Sequence, residues 1–412
     1  MTALRADNLL AGLGTAGVMR RLSGLILTVV LTSLCVTQLG LTMTSAVTAA
    51  CLATASCCLL LGLGGFRTKE EGPVLVGLLL LLASTSSRLS LGLSDLLIAS
   101  LLCGLLFATL AARPIRERLL SGIPSSVRIG LLASLGILAF RCALRLSGIL
   151  SEDSSGAVCF AGVFDPAFVC ALVSVLATVI LKVSDVPSSG LLGILIATAA
   201  GIPLGLTRLP AGLVSAPDLS LTQSSASGII SGLGHFADRL PTPDFLGTFV
   251  ALSLALLLTS ECPRLLGGFG LAVSSAFGIP GLLADGEPHS GGRRAALGEA
   301  LALVVVLIVL SFLSPLVSCV PVSATCGPLL LACLGPVASL AECDLRDASV
   351  AVPVAGMIVS ALATGSLAWA LSAGVLLDAG IGLGSGRHGS FNPVSICLCV
   401  LSVVFVLLST GL

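Results

Sequence analysis

Polar residues punctuate this chain only rarely, and the apolar stretches between them are long. Leu22–Thr42, Ser90–Ala112, Val163–Leu181, Ala295–Cys319 and Phe391–Leu408 each have about the 20 residues that a helix needs to cross the hydrocarbon layer. About seven such crossings fit before residue 210, the fifth and sixth of them short, and about seven fit after Phe245, where few polar residues separate the runs. The pattern predicts an all-α polytopic membrane protein. Arg20 and Arg21 precede the first apolar run as in a signal peptide, but no small-residue cleavage site leads into a soluble domain, so Leu22–Thr42 reads as the first span.

The longest polar stretch, PAGLVSAPDLSLTQSSASGIISGLGHFADRLPTP, is rich in Ser, Gly and Pro and divides the chain near its middle. The expected organisation is a cytoplasmic N-terminus over 1–21, a first membrane repeat over 22–209, a polar linker over 210–243 and a second membrane repeat over 244–412. Arg113, Arg116, Arg118 and Arg128 crowd one connection. By the positive-inside rule that connection is cytoplasmic. With four spans before it the N-terminus is cytoplasmic too, in agreement with Arg5, Arg20 and Arg21.

Composition narrows the function classes. The chain is 56% apolar and 10% charged, with 20 acidic and 20 basic residues, which leaves no electrostatic footprint for nucleic acid. Of its 15 cysteines, Cys35, Cys51, Cys57, Cys58, Cys103, Cys142, Cys170, Cys333, Cys397 and Cys399 lie inside apolar runs. They read as small apolar packing residues rather than a disulfide or metal set. A phosphate-cradling Gly-x-x-x-x-Gly-Lys-Ser/Thr loop is absent, as is any metal-ligand spacing or Ser/His/Asp set. Enzyme activity and a cofactor are not expected.

Against that background one stretch stands out. GLLADGEPHSGGRR gathers Asp285, Glu287, His289, Arg293 and Arg294 in a Gly-rich break between apolar blocks. A comparable break, FRTKEEGP around Glu71, follows the first span of the first half at a similar distance. Paired interruptions in two halves are a sequence pointer to a transporter site. A helix broken at membrane depth exposes N–H and C=O groups that are tolerated only where they line a cavity or bind something. The alternative is that both are surface loops.

These residues also resemble a known family. IPSSVRIGLLASLGILAFRCALRLSGIL, Ile123 to Leu150, is similar to the Ile-Pro-x-x-Leu-Lys and Gly-Ile-Gly-Leu-Phe segment of the adenine/guanine/hypoxanthine permeases, a branch of the nucleobase:cation symporters. GLLFATLAARPIRERLLSG before it and GILIATAAGIPLGL, Gly193 to Leu206, resemble the flanking segments in the same order. In the second half, PDFLGT resembles the Phe-Asp-Thr-x-Gly-Thr that opens the eighth helix, keeping Asp244, Gly247 and Thr248 with Phe245 in place of a Thr. Gly278, Glu287, Gly291, Gly292 and Arg293 match parts of the tenth-helix segment, with a shorter spacing from Glu to Gly-Gly-Arg. A fit without a gap puts Leu283 at the acidic position instead. SLAWALSAG carries Trp369 where an acid is usual. In the third helix EEGPVLVG stands for Pro-Gly-x-Gly-x-Asn-Ala, so only Gly72 or Pro73 matches and the Asn is absent.

The resemblance implies about fourteen transmembrane helices in two inverted seven-helix repeats. A core and a gate domain would hold the substrate between two broken helices. It places substrate-binding residues at Glu287, Asp244, Gly247, Thr248, Gly72 and Gly278. A purine presents adjacent N–H donors and ring-nitrogen acceptors, so a carboxylate can accept two of its bonds while half-helix N–H groups donate to it. Glu287 is the candidate for that carboxylate, and Asp244 for proton coupling. As structural alternatives, Glu287 pairs with Arg293 or Arg294, and Asp244 caps a helix. His289 beside Pro288 reads as a solvated turn residue, with titration near neutral pH as its functional alternative. Arg88, Arg141 and Arg145 read as snorkelling side chains, and Phe245 and Phe277 as packing residues.

The expected function is import of purine nucleobases across the cytoplasmic (inner) membrane by proton symport. The partners are the base, the proton and the lipid bilayer, with no nucleic acid and with a homodimer as one assembly open to the chain. Transport of uracil, xanthine or an anion, and a non-transporting protein with an eroded site, remain open as alternatives.

Overall fold

The computed structural model of the 412-residue chain describes residues 15–37, 41–68, 93–109, 121–152, 158–160, 162, 165–207, 210, 212–234, 242–259, 264–280, 282–284, 286–344, 346–385 and 392–410. In order these form α1 (Thr15–Thr37), α2 (Met43–Gly64), β1 (Phe66–Thr68), α3 (Leu93–Thr109), α4 (Ser125–Leu146), β2 (Leu150–Glu152) and β3 (Val158–Phe160). There follow α5 (Pro166–Val183), α6 (Ser189–Gly201), α7 (Ser220–Gly234), α8 (Pro243–Thr259), α9 (Arg264–Ala276) and β4 (Gly286–Pro288). The chain closes with α10 (Gly292–Phe312), α11 (Ser314–Ser318), a 3-10 turn at Val322–Thr325, α12 (Cys326–Ala338), α13 (Ala348–Thr364), α14 (Leu367–Gly384) and α15 (Pro393–Thr410).

Eight helical segments among the described residues are long and apolar enough to cross a membrane. The protein is a multi-pass membrane protein. Local chemistry sets the helix limits. Asp165 accepts from the Ala167 N–H at 3.0 Å with Pro166 in the first turn of α5, and Asp347 accepts from the Ser349 N–H at 2.9 Å to open α13. Gly65 ends α2 in the left-handed region at φ 82°, a conformation that costs glycine nothing. The apolar run Leu22–Thr42 divides, because α1 stops at Thr37 and Thr42 already stands as the N-cap of α2.

Two sets of helices pack together. In one, α2 lies along α10, α3 along α9, and α1 and α9 also lie against α2. In the other, α4 is covered by α12, α13 and α14, and α5 by α6 and α12. Helix α8 touches α3, α14 and α15, so it lies between the sets. No water-driven attraction operates between helices in lipid, so close approach depends on small residues. A Cβ on Gly104 of α3 would stand 2.6 Å from the Gly268 carbonyl of α9, and one on Gly268 would overlap the Gly104 carbonyl in return. On the α2–α10 crossing Gly62 meets Ala300, again at 2.6 Å.

The outer helices turn apolar side chains outward: Leu176, Ile180 and Val183 on α5, Val305 and Val309 on α10, Val400, Val403 and Leu407 on α15. Lipid is the solvent that makes such a surface stable. Among the cysteines read as packing residues, Cys35, Cys51, Cys57, Cys58, Cys103, Cys142, Cys170 and Cys333 are buried as free thiols, whereas Cys399 is half-buried and Cys397 faces outward on α15.

Short β elements interrupt the helical pattern. β1 and β4 pair antiparallel, and β2 and β3 form a separate hairpin. The Ser-rich segment within 210–243 contains a helix, α7, whose Leu221 and Ile229 are buried against the bundle. Two of its serines are satisfied on the helix backbone, Ser224 Oγ donating to the Leu221 carbonyl and Ser227 Oγ to the Ser224 carbonyl, each at 2.9 Å, and this helps a polar sequence pack as a helix.

Candidate functional site at the strand crossing

The two polar interruptions converge where β1 crosses β4. Phe66 stands opposite Pro288, Arg67 opposite Glu287 and Thr68 opposite Gly286. Glycine at 286 is required by the approach, because a Cβ there would overlap the Arg67 carbonyl oxygen. The paired strands satisfy backbone groups that lipid would leave bare.

Glu287 lies on β4 with 54% of its side chain exposed, and its Oε2 is 3.4 Å from Arg67 Nη2. Its partner is therefore the cross-strand arginine, not Arg293 or Arg294. Gly72 and Glu71 lie outside the described residues. Asp244 is the second residue of α8. Gly247 packs that helix against α14 and α15, where a Cβ would come 2.8 Å from Ala368 and would overlap Phe405. Phe405 in turn meets Trp369 edge to face at 5.4 Å between ring centroids, and a small cleft beside them is lined by Leu246, Gly247, Ala368, Ser372 and Ser402. Thr248 is buried. Gly278 ends α9 at φ 91°, with Ser225 Oγ of α7 only 2.5 Å from where a Cβ would be.

Gly247 and Gly278 thus serve close packing at two different helix junctions, and Glu287 stands at a third place. The tenth-helix segment also departs from expectation. Between Ala276 and Gly292 the described residues hold turns and β4 but no half-helix, and Leu283 is fully buried in the core. Phe245 is buried with Ile98 and Ala99, as a packing residue.

A cluster that the sequence did not announce lies beneath the strand crossing. Glu299 of α10 receives Arg21 of α1, Nη1 to Oε1 at 2.5 Å, and His289 Nε2 stands 3.2 Å from its other oxygen. The three side chains are only 8%, 11% and 11% exposed for Arg21, Glu299 and His289. Two expectations are corrected here. Arg21, read as preceding the first span, lies within α1 and is a buried ion-pair partner. His289 is not a solvated turn residue, since its ring turns inward onto Glu299. Burying a carboxylate unpaired costs several kcal/mol, roughly, so the guanidinium is what permits Glu299 to lie there. The only available clue was a charge at each place close to the start of a span, Arg21 just before the first apolar run and Glu299 about two turns into α10.

Backbone bonds tie this cluster to the strands. The His289 N–H donates to the Gly65 carbonyl at 3.1 Å, the Gly292 N–H to the His289 carbonyl at 3.1 Å, and the Gly291 N–H to His289 Nδ1 at 2.8 Å. A ring nitrogen that accepts carries no proton, so a neutral imidazole holds its hydrogen on Nε2, which lies 3.2 Å from Glu299 Oε2 but is not aligned with it as a hydrogen bond. Among the described residues no group of His, Cys, Asp and Glu is arranged to hold a metal ion.

A helical bundle with apolar outer faces and a polar strand crossing inside belongs to the class of multi-pass membrane proteins. Its sequence is similar to that of permeases. The guanine/hypoxanthine permease of Bacillus subtilis is 25% identical over 73% of this chain and 73% of its own length. A second guanine/hypoxanthine permease of that organism is 24% identical over 72% and 74%, and the adenine permease of Escherichia coli is 23% identical over 74% and 71%. The resemblance to the nucleobase permeases therefore extends over nearly three quarters of the chain, and these relatives are named as permeases, not enzymes. No family model matches. Among solved structures, the transmembrane domain of a cyanobacterium bicarbonate transporter aligns with TM-score 0.49 at 16% identity over 85% of this chain and 96% of that one. The murine Solute Carrier 26 family member A9 anion transporter in its inward-facing state aligns with TM-score 0.46 at 15% identity over 90% and 68%.

Proposed function

We propose that the protein is a secondary transporter that imports purine nucleobases, adenine, guanine and hypoxanthine, across the cytoplasmic membrane by proton symport. The observation that carries this reading is the β1–β4 crossing, which brings the two polar interruptions of a nucleobase-permease-like sequence face to face as Arg67 and Glu287. Of the two acids there, Glu299 is committed to Arg21. Glu287, exposed and held by a single 3.4 Å contact, is the acceptor available to the adjacent N–H groups of a base.

The reading of two inverted repeats has support from the packing. Among the described residues the order is α1, α2, β1, α3 and then α8, α9, β4, α10. The second helix of each half lies along the last helix of the other, α2 on α10 and α9 on α3, and the strands pair with each other. The division into 22–209 and 244–412 goes with that reading. The helix set around the strand crossing suits a core domain, and the set around α4 and α12 a gate domain.

The test is uptake of radiolabelled adenine, guanine and hypoxanthine by bacterial cells lacking their own purine permeases. Wild type is expected to accumulate at least one of them and Glu287→Gln to lose that uptake at equal membrane expression. No uptake of any of the three by well-expressed wild type would sink the reading.

A further inference from the structure

We propose, resting on the transport reading above, that His289 and Glu299 are the proton-binding site of this transporter, with Arg21 as fixed countercharge, and that the proton is taken up at His289 Nδ1. This assigns the coupling proton to the turn after β4 rather than to Asp244.

The geometry defines both states of the site. In the state described, Arg21 neutralises Glu299 through Oε1, and His289 Nε2 stands 3.2 Å from Oε2 without a hydrogen bond between them. Oε2 makes no hydrogen bond of good geometry among the described residues, and neither does Arg21 Nε. A buried carboxylate oxygen with spare accepting capacity thus lies 3.2 Å from a ring nitrogen of His289. On the neutral ring the added proton goes to the Nδ1 lone pair, which now accepts the Gly291 N–H at 2.8 Å. Uptake of H⁺ therefore forms an Nδ1–H bond and releases the Gly291 N–H. Loss of the proton restores it, and no other reactant enters the balance.

That exchange is felt at the substrate side. Gly291 adjoins the first residue of α10, and His289 holds Gly65 through its own N–H and Gly292 through its carbonyl. Freeing the Gly291 N–H alters the turn that connects β4 to α10, two residues from Glu287. A proton on His289 and a base on Glu287 thus act on one short segment, which is what coupling requires.

Other charged groups near Glu299 do not compete for the role. Cys58 of α2 lies near the same carboxylate and is a neutral thiol in an apolar crossing. Arg67 of β1 is engaged by Glu287. Arg293 and Arg294, on the same helix, are exposed, and α11 brings no titratable side chain. Protons reach the ring through the exposed residues Ser290 to Arg294.

The experiment uses the full chain in proteoliposomes with hypoxanthine as probe, comparing wild type with His289→Asn and Glu299→Gln. The Asn Oδ1 can still accept from the Gly291 N–H while carrying no titratable proton. Expected is that an inward proton gradient drives accumulation in wild type, and that in both variants the inside-to-outside ratio falls to about 1 while hypoxanthine exchange without a gradient stays within about twofold of wild type. Accumulation by His289→Asn at the wild-type level would overturn the proposal. A second measurement covers loss of folding in Glu299→Gln or absence of hypoxanthine transport in wild type, the latter counting against the transport reading and not against the proton site. In ¹⁵N-histidine NMR of the wild-type protein, the His289 Nδ1 signal is expected to move to its protonated position as the pH falls across the range in which the gradient drives uptake, together with the Gly291 amide. An Nδ1 that stays unprotonated over that range overturns the assignment.

Discussion

Arg21 and Glu299, 278 positions apart, meet at 2.5 Å beneath the strand crossing and fasten α1 to α10. Both side chains are about nine-tenths buried, so each protects the other from standing as a lone charge in an apolar interior. Arg21→Met or Glu299→Met alone is expected to cost about 3 kcal/mol, because the remaining charge is left unpaired. The double substitution should recover most of that loss. Thermal unfolding of the purified variants in detergent measures all corners of the cycle, and additive losses would show that the pair is not coupled.

Glu287→Gln should behave differently. The Arg67–Glu287 pair is exposed and 3.4 Å long, and pairs of this kind contribute about 0 to 1 kcal/mol. Melting temperature and expression are expected to match wild type, so that lost uptake would report on the base-binding carboxylate and not on folding.

Gly268→Ala places a methyl group against the Gly104 carbonyl and within 2.8 Å of the Ala108 nitrogen. Backbone on both sides cannot yield as a side chain could. A loss of about 1 to 3 kcal/mol is expected from overpacking, with Gly268→Leu failing to accumulate in the membrane. Size-exclusion profiles of tagged protein distinguish the two outcomes.

Ser174 of α5 donates to the Ala324 carbonyl at 2.5 Å and accepts from the Gly327 N–H at 3.1 Å, closing the break between the 3-10 turn and α12. Ser174→Ala leaves both backbone groups unpaired in a buried place. The expected cost is about 1 to 3 kcal/mol. Faster amide exchange at Gly327 should accompany it, whereas an unchanged exchange rate would mean that another group satisfies that amide.

Much of the membrane architecture is legible in the sequence because hydrocarbon demands length and apolarity, and Pro166–Val183 and Pro393–Thr410 appear within three residues of where the runs Val163–Leu181 and Phe391–Leu408 place them. The pairing of the two interruptions was legible as well, but their register was not. Nothing local in FRT or GEP says that Arg67 faces Glu287, since strand register is a tertiary property. Arg21 and His289 were misread for a related reason: next to apolar runs a charge looks like a flank, and only the fold shows that another chain segment supplies its counterion. What Gly247 and Gly278 visibly do is let helices touch, and Thr248 is buried. Asp244 is the second residue of α8 and Gly72 lies outside the described residues.

The reciprocal contact of Gly104 with Gly268 has a mechanical consequence. With backbone lying directly on backbone, α3 and α9 can neither slide nor roll on each other without prising apart a surface that has no flexible side chains to absorb the shift. Any rocking motion must carry the pair as one body. The pliant joint is then α8, whose borders with α14 and α15 are cushioned by Phe405, Trp369 and the cleft beside Gly247.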